Sequence, residues 1–111
     1  MKTIKFYFEN MLPPSVAQLA INNTKEHFLE LRQPNLHEAL SAAFVWSMSY
    51  KGQTYWEKVY EIAKGGRLRY NKSIVNGKAK WRVFVDDNMV AECDSEKEAL
   101  REYGNQILRL M

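Results

Sequence analysis

The chain has 111 residues, 46% hydrophobic and 13% aromatic, with a formal net charge of +3. That is one domain's length with enough apolar and aromatic side chains to build a core, which argues against an intrinsically disordered chain. One cysteine, Cys93, excludes an internal disulfide, and no apolar run approaches the roughly 20 residues that span a bilayer, so the expectation is a cytoplasmic protein that does not bind membranes.

The apolar run in MKTIKFYFENMLPP is too short and too broken by charge for a signal peptide. Within it, residues 3–8 alternate. Ile4, Phe6 and Phe8 fall on one side and Lys5 and Tyr7 on the other, the pattern of a half-buried strand whose pairing is open. Met11 to Ser15 ends it, and Pro14 suits the first turn of a helix with Val16, Leu19, Ala20 and Asn23 as its stripe. Residues 27–34 form a connector or one more helical turn. Asn35 and Glu38 have the spacing of a capping box, predicting a helix into Val45 and Trp46. A break containing Gly52 follows, then a helix over 53–63 that Gly65 and Gly66 stop. Trp46 and Trp56 are expected in the core.

The C-terminal half is more regular. Asn76-Gly77 between two alternating runs predicts a type I′ hairpin. A two-residue loop sets Val75 against Lys78, Lys72 against Trp81, Arg69 against Phe84 and Leu68 against Val85. Leu68, Tyr70, Ile74, Ala79, Trp81, Val83 and Val85 then share a core face, with Lys72 the only misfit. A three-residue turn at 86–88, with Asn88 left-handed, pairs Val85 with Met89, Val83 with Ala91 and Trp81 with Cys93 on that face. It pairs Phe84 with Val90 and Arg82 with Glu92 on the other. Ser95 and Glu98 form a second capping box. Ala99, Leu100, Tyr103, Ile107 and Leu110 make the stripe of a closing helix, in which Gly104 implies a close approach to the sheet.

The expected fold class is α+β: an N-terminal strand, two to three helices, a three-stranded antiparallel sheet and a C-terminal helix packed on one sheet face. Residues 1–111 read as a single domain, with 1–64 the strand plus helical part and 65–111 the sheet plus closing helix.

Catalytic patterns are absent. His27 and His37 lack metal-ligand spacing, Gly65-Gly66 lacks the rest of a phosphate loop, Cys93 reads as a buried structural residue against Trp81, and Asp86-Asp87 as a plain turn. The expectation is a non-enzymatic protein with no cofactor, no metal and no small-molecule substrate.

Residues 38–61, EALSAAFVWSMSYKGQTYWEKVYE, carry Phe44, Trp46, Ser47, Ser49, Gly52, Tyr55, Trp56 and Tyr60. This segment resembles a motif of small tailed-phage and prophage proteins, which implies a mobile-element origin and no defined activity. Residues 80–107, through Trp81, Val83, Val85, Ser95, Glu98, Ala99 and Tyr103, are similar to the three-stranded sheet plus helix of integrase arm domains and plant ethylene-response-type factors. Those families set the exposed sheet face in the DNA major groove. The order helix, three strands, helix also resembles double-stranded-RNA-binding domains, but the acidic turn at Asp94, Glu96 and Glu98 would repel phosphates there.

Between 64 and 82 the chain has Lys64, Arg67, Arg69, Lys72, Lys78, Lys80 and Arg82 and no acid. Arg67, Arg69, Lys78, Lys80 and Arg82, with Phe84 beside them, make one outward sheet face. It is either a solvated face or the contact surface for a macromolecular partner. The partner is an acidic protein surface, as for a host-directed inhibitor or adaptor, or alternatively nucleic acid. A third class is a dimerising module using Phe84 and Val90, or the edge of 3–8; the oligomeric state is open.

Overall fold

The computed structural model describes residues 2–23, 29–33, 35–47 and 53–111, without the side chains of Leu19, Asn23, 45–47 and 53–56. Strand β1 is only Lys2–Thr3 and helix α1 is Ile4–Met11. The strand expected over 3–8 is therefore helical from Ile4. Thr3 Oγ1 accepts from the Phe6 amide at 3.2 Å and caps the helix. The period-2 alternation covers few residues and gives way to a 3.6-residue stripe. Ile4, Tyr7, Phe8 and Met11 recur at i, i+3, i+4 and i+7, and none is more than 2% exposed. β1 pairs not with the main sheet but with a two-residue strand β2 (Arg32–Gln33), in the stretch expected to be a connector.

Helix α2 (Pro14–Asn23) buries Ala17 and Ala20. Helix α3 (Leu36–Ser47) starts at the expected cap: the Glu38 amide donates to Asn35 Oδ1 at 2.9 Å. Its buried residues, Leu36, Ala39, Leu40 and Ala43, again follow the helical period. Helix α4 (Gln53–Lys64) buries Val59 and Ala63, and its Tyr60 ring stacks on Phe44 at 5.3 Å. It ends at Gly65 and Gly66, the latter at φ 81°. Of the break expected at 47–52, Ser47 still belongs to α3, while 48–52 and the side chains of Trp46 and Trp56 lie outside what is described.

Strands β3 (Leu68–Val75), β4 (Lys78–Val85) and β5 (Asn88–Cys93) form an antiparallel sheet in the order β3-β4-β5. The first hairpin has the expected register, from Val75–Lys78 to Leu68–Val85, around Asn76 and Gly77 at φ 53° and 77°. The second hairpin differs from expectation. Its turn is two residues, Asp86 and Asp87, both left-handed at φ 51° and 67°. Val85 then pairs with Asn88 and Phe84 with Met89. A shift between Val83 and Phe84 restores the expected Val83–Ala91, Arg82–Glu92 and Trp81–Cys93 pairs. The extra residue anticipated in the loop is thus Val90, bulged within the strand. A two-residue I′ turn matches strand twist, and the bulge absorbs the offset.

Helix α5 (Glu96–Leu110) is capped as expected, with the Glu98 amide donating to Ser95 Oγ at 3.2 Å. It packs across all three strands on one face and against α1 on its other side, burying Ala99, Leu100, Tyr103, Gln106 and Ile107. Gly104 meets α1 rather than the sheet: a Cβ there would stand 1.6 Å from the Met11 carbonyl oxygen. The cover over the sheet is uneven. Leu68 and Val83 are fully buried, whereas Ile74, expected in the core, is 66% exposed near the Asn76-Gly77 turn. Cys93 is half-buried rather than buried.

Candidate functional site

Among the described residues the closing helix covers one face of the sheet, and alternation places the six candidate residues on the other in cross-strand rows. Arg67 and Asp86 lie at the turn end. The Asp86 amide donates to the Arg67 carbonyl at 2.9 Å, and the Arg67 Nε and Nη2 bind the two Asp86 carboxylate oxygens at 2.9 Å each. Arg69, Phe84 and Met89 form the next row. The Arg69 guanidinium sits over the Phe84 ring at 5.7 Å and donates to Asp87 at 2.5 Å. Phe84 is half-buried and Met89 exposed. In the third row Asn71 faces Arg82, whose Nε donates to Glu92 at 2.9 Å. Ser73 and Lys80 follow, and Lys80 donates to Asp94. Lys78 closes the face beside Val75, with no ion pair among the described residues.

Four of the five cations are therefore matched by carboxylates, leaving the face one positive charge in excess. The acid-free run at 64–82 gave a more basic impression because its partners come from 86–94. Only the Arg82–Glu92 pair was expected. Lys80–Asp94 and Arg67–Asp86 were implicit in the strand register, since Asp94 follows Cys93 opposite Trp81 and Asp86 follows Val85 opposite Leu68, whereas Arg69–Asp87 is a contact with the turn that the register does not give. The pairs are solvent-exposed and each contributes little stability. They do hold the carboxyls of Asp86, through its hydrogen bond to Arg67, and Asp94, through its hydrogen bond to Lys80, below the usual range.

Lys64 and Lys72 do not join this face. Lys64 lies over the Tyr60 ring at 6.0 Å. Lys72 lies on the helix-side face with its Nζ 5.5 Å from the centre of the Trp81 ring, opposite which it pairs. The misfit in the core pattern is thereby accommodated: Lys72 is exposed to solvent, and its ammonium lies over an aromatic ring.

Burial pushes the Cys93 thiol up, and the carboxylates of Glu98, Glu102, Asp94 and Glu92 add to the shift, so the nucleophilic thiolate is disfavoured. Burial also raises Tyr103, whose hydroxyl has no hydrogen-bond partner among the described residues and whose ring meets Tyr70 edge-on at 5.7 Å. A shallow cleft of about 330 Å³ between the α1–α2 turn and α5 is lined by Glu9, Pro13, Arg101, Asn105 and Leu108. Among the described residues, no three His, Cys, Asp or Glu side chains cluster to hold a metal, and no helix is long and apolar enough to cross a membrane. Comparison with protein-family models, curated proteins and solved structures finds no match.

Proposed function

We propose that this chain is a non-enzymatic binding protein that docks an acidic protein surface through the open face of its three-stranded sheet. The observation that carries this is the Arg69–Phe84–Met89 row: a half-buried aromatic and an exposed methionine flanked by ion-paired side chains. An apolar centre with a polar rim is the usual anatomy of a protein interface, and Arg and aromatic side chains dominate such contacts. The pairing does not exhaust the arginines. Arg82 engages Glu92 through Nε, Arg69 engages Asp87 through one Nη, and each guanidinium has five donors, which leaves N–H groups for a partner's carboxylates.

Nucleic acid is the second reading, supported by the basic excess and by the likeness of 80–107 to integrase arm domains. It is weakened by the same ion pairs, because a phosphate would have to compete with Asp86, Asp87, Glu92 and Asp94 for every cation but Lys78. A mobile-element origin accompanies the proposal on the strength of the 38–61 resemblance. A cytoplasmic setting accompanies it on the strength of the single unpaired cysteine.

Fluorescence anisotropy with labelled single-stranded DNA, duplex DNA and duplex RNA, at low and moderate salt, tests the choice. The expected result is no binding at micromolar protein. Binding with a log–log salt slope of roughly −3 to −5, lost in Arg69→Ala/Lys80→Ala/Arg82→Ala, would install the nucleic-acid reading instead. In parallel, capture from a host lysate should yield an acidic protein with the wild type and lose it with Phe84→Asp. Retention by Phe84→Asp would remove this face from the proposal.

A further inference from the structure

The strand order leaves β3 at an edge of the sheet. The Asp86 amide donates to the Arg67 carbonyl, so the odd-numbered positions along β3 hydrogen-bond to β4. Tyr70, Lys72 and Ile74 therefore turn their own N–H and C=O groups away from the sheet. Leu68 is fully buried, so the accessible part of this edge runs from Arg69 to Val75. It contains no proline and no bulge, whereas the opposite edge strand, β5, is bulged at Val90. On the helix side of this edge lie half-buried Tyr70, exposed Lys72 and largely exposed Ile74.

We propose that the β3 edge from Arg69 to Val75 is a self-complementary pairing surface for a second copy of this chain, and that Lys72 holds it shut. Two identical strands pair antiparallel about a two-fold axis, and residues that face each other must lie on the same side of the sheet. The register that uses all of Arg69 to Val75 then places Lys72 on the axis. Tyr70 meets the second copy's Ile74, an aromatic on a β-branched side chain. Asn71 meets the second copy's Ser73, and the Arg69 stem lies on the second copy's Val75. Every pair in this register is compatible except the central one. There Lys72 meets its own copy at a Cα separation of about 5.5 Å, where like charges oppose pairing.

Sliding by two residues relieves the charge conflict but shortens the ladder. Centred on Asn71, the pairing brings Ile74 against Leu68, whose backbone is already covered. Centred on Ser73, it runs into the Asn76-Gly77 turn. A lysine on the inward side of an edge strand is a known device against edge-to-edge association, and here it closes the longest register available. Its contact with Trp81 keeps it in place without neutralising it.

Sedimentation velocity over a concentration series tests this, with far-UV circular dichroism to show that each variant folds. Wild type is expected to be a monomer and Lys72→Val a dimer. Lys72→Glu alone is expected to be monomeric, because the axis again sets like charges together. An equimolar mixture of wild type and Lys72→Glu is expected to form a mixed dimer. Adding Ile74→Lys to Lys72→Val should restore the monomer. A folded Lys72→Val that stays monomeric up to roughly 1 mM, a dissociation constant worth only about −4 kcal/mol, overturns the proposal. So does a mixture that sediments as monomers, which decides the matter even if Lys72→Val fails to fold. If Lys72 serves only to cover Trp81, its replacement lowers stability and creates no dimer. A wild-type dimer would show that Lys72 closes nothing.

Discussion

Gly104→Ala is expected to be among the most damaging single-methyl additions in this chain. At an ordinary helical position the change would add roughly 1 kcal/mol of stability through helix propensity. Here the new Cβ would stand 1.6 Å from the Met11 carbonyl oxygen and 2.7 Å from its carbon. Those are backbone atoms, so no rotamer change clears them. The nearest acceptable carbon contacts lie at about 3.5 Å, so α1 and α5 must part by something near 2 Å at their crossing. A gap of even 0.5–1 Å forfeits a quarter to a half of each dispersion contact across it. The two helices that pack there carry Ile4, Phe8, Met11, Leu100, Tyr103 and Ile107, all 2% exposed or less. If three or four of these lose a third of the roughly 1.5–3 kcal/mol that burial contributes to each, the cost is about 2–4 kcal/mol, to which strain adds. Subtracting the propensity gain leaves a net loss of about 1–3 kcal/mol before strain, against a total stability of about 5–15 kcal/mol for a chain of this size. Urea denaturation followed by circular dichroism should show a lower midpoint with an unchanged slope. Asn105→Ala, one residue along on the exposed side, should be close to neutral. A Gly104→Ala protein as stable as wild type would refute the close crossing of α1 and α5.

Three further outcomes follow from particular groups. Tyr103→Phe should leave stability unchanged or raise it by about 1 kcal/mol in the same urea assay, because it removes a buried hydroxyl with no partner among the described residues while keeping the ring against Tyr70; a loss above that size would reveal a hydrogen bond at the hydroxyl. Asp87→Gly should raise the thermal midpoint, since glycine relieves a left-handed position at a cost of roughly 1 kcal/mol for an L-residue and gives up only an exposed ion pair with Arg69. Asp86 and Asp94 have folded-state pKa values below the unfolded value of 3.8, so in the interval between them the unfolded chain binds more protons. Their contribution is complete above that interval and is lost as pH falls through the folded values. Urea midpoints measured from pH 6 downward should therefore fall less steeply at the acid end in Asp86→Asn/Asp94→Asn than in wild type, and identical acid limbs would contradict the assigned pairs.

The α+β class, the first hairpin's register and the caps at Asn35 and Ser95 were legible because each rests on residues close in sequence. Asn76-Gly77 selects a type I′ turn locally, and that turn sets every pair from Val75–Lys78 to Leu68–Val85. Other features were ambiguous at short range. Residues 4–8 satisfy a period of 2 and, with Met11 included, a period of 3.6; the outcome went to the helix that Thr3 caps and that buries four large side chains. In the second hairpin, the far pairs were readable from which residues must face the core. Whether the odd residue sat in the turn or at Val90 depended on turn twist, which composition does not express.

The candidate face divides in the same way. Alternation alone put Arg67, Arg69, Lys78, Lys80, Arg82 and Phe84 on one side of a sheet, because side-chain direction reverses at every residue of a strand. How much charge that side retains was decided by β5 and its flanks, which bring Asp86, Asp87, Glu92 and Asp94 against the arginines and Lys80. Gly104 was conspicuous in sequence as a glycine inside a helix, but only the packing identified α1 as the neighbour that excludes a Cβ. Lys72 was conspicuous as a charge in a core pattern, and only the strand order placed it on an open edge. Periodicity and turn chemistry act over a few residues, so the sequence by itself determined the elements and their faces. Which faces and edges stay open depends on contacts between residues far apart in the chain, and those exist only once the elements have packed.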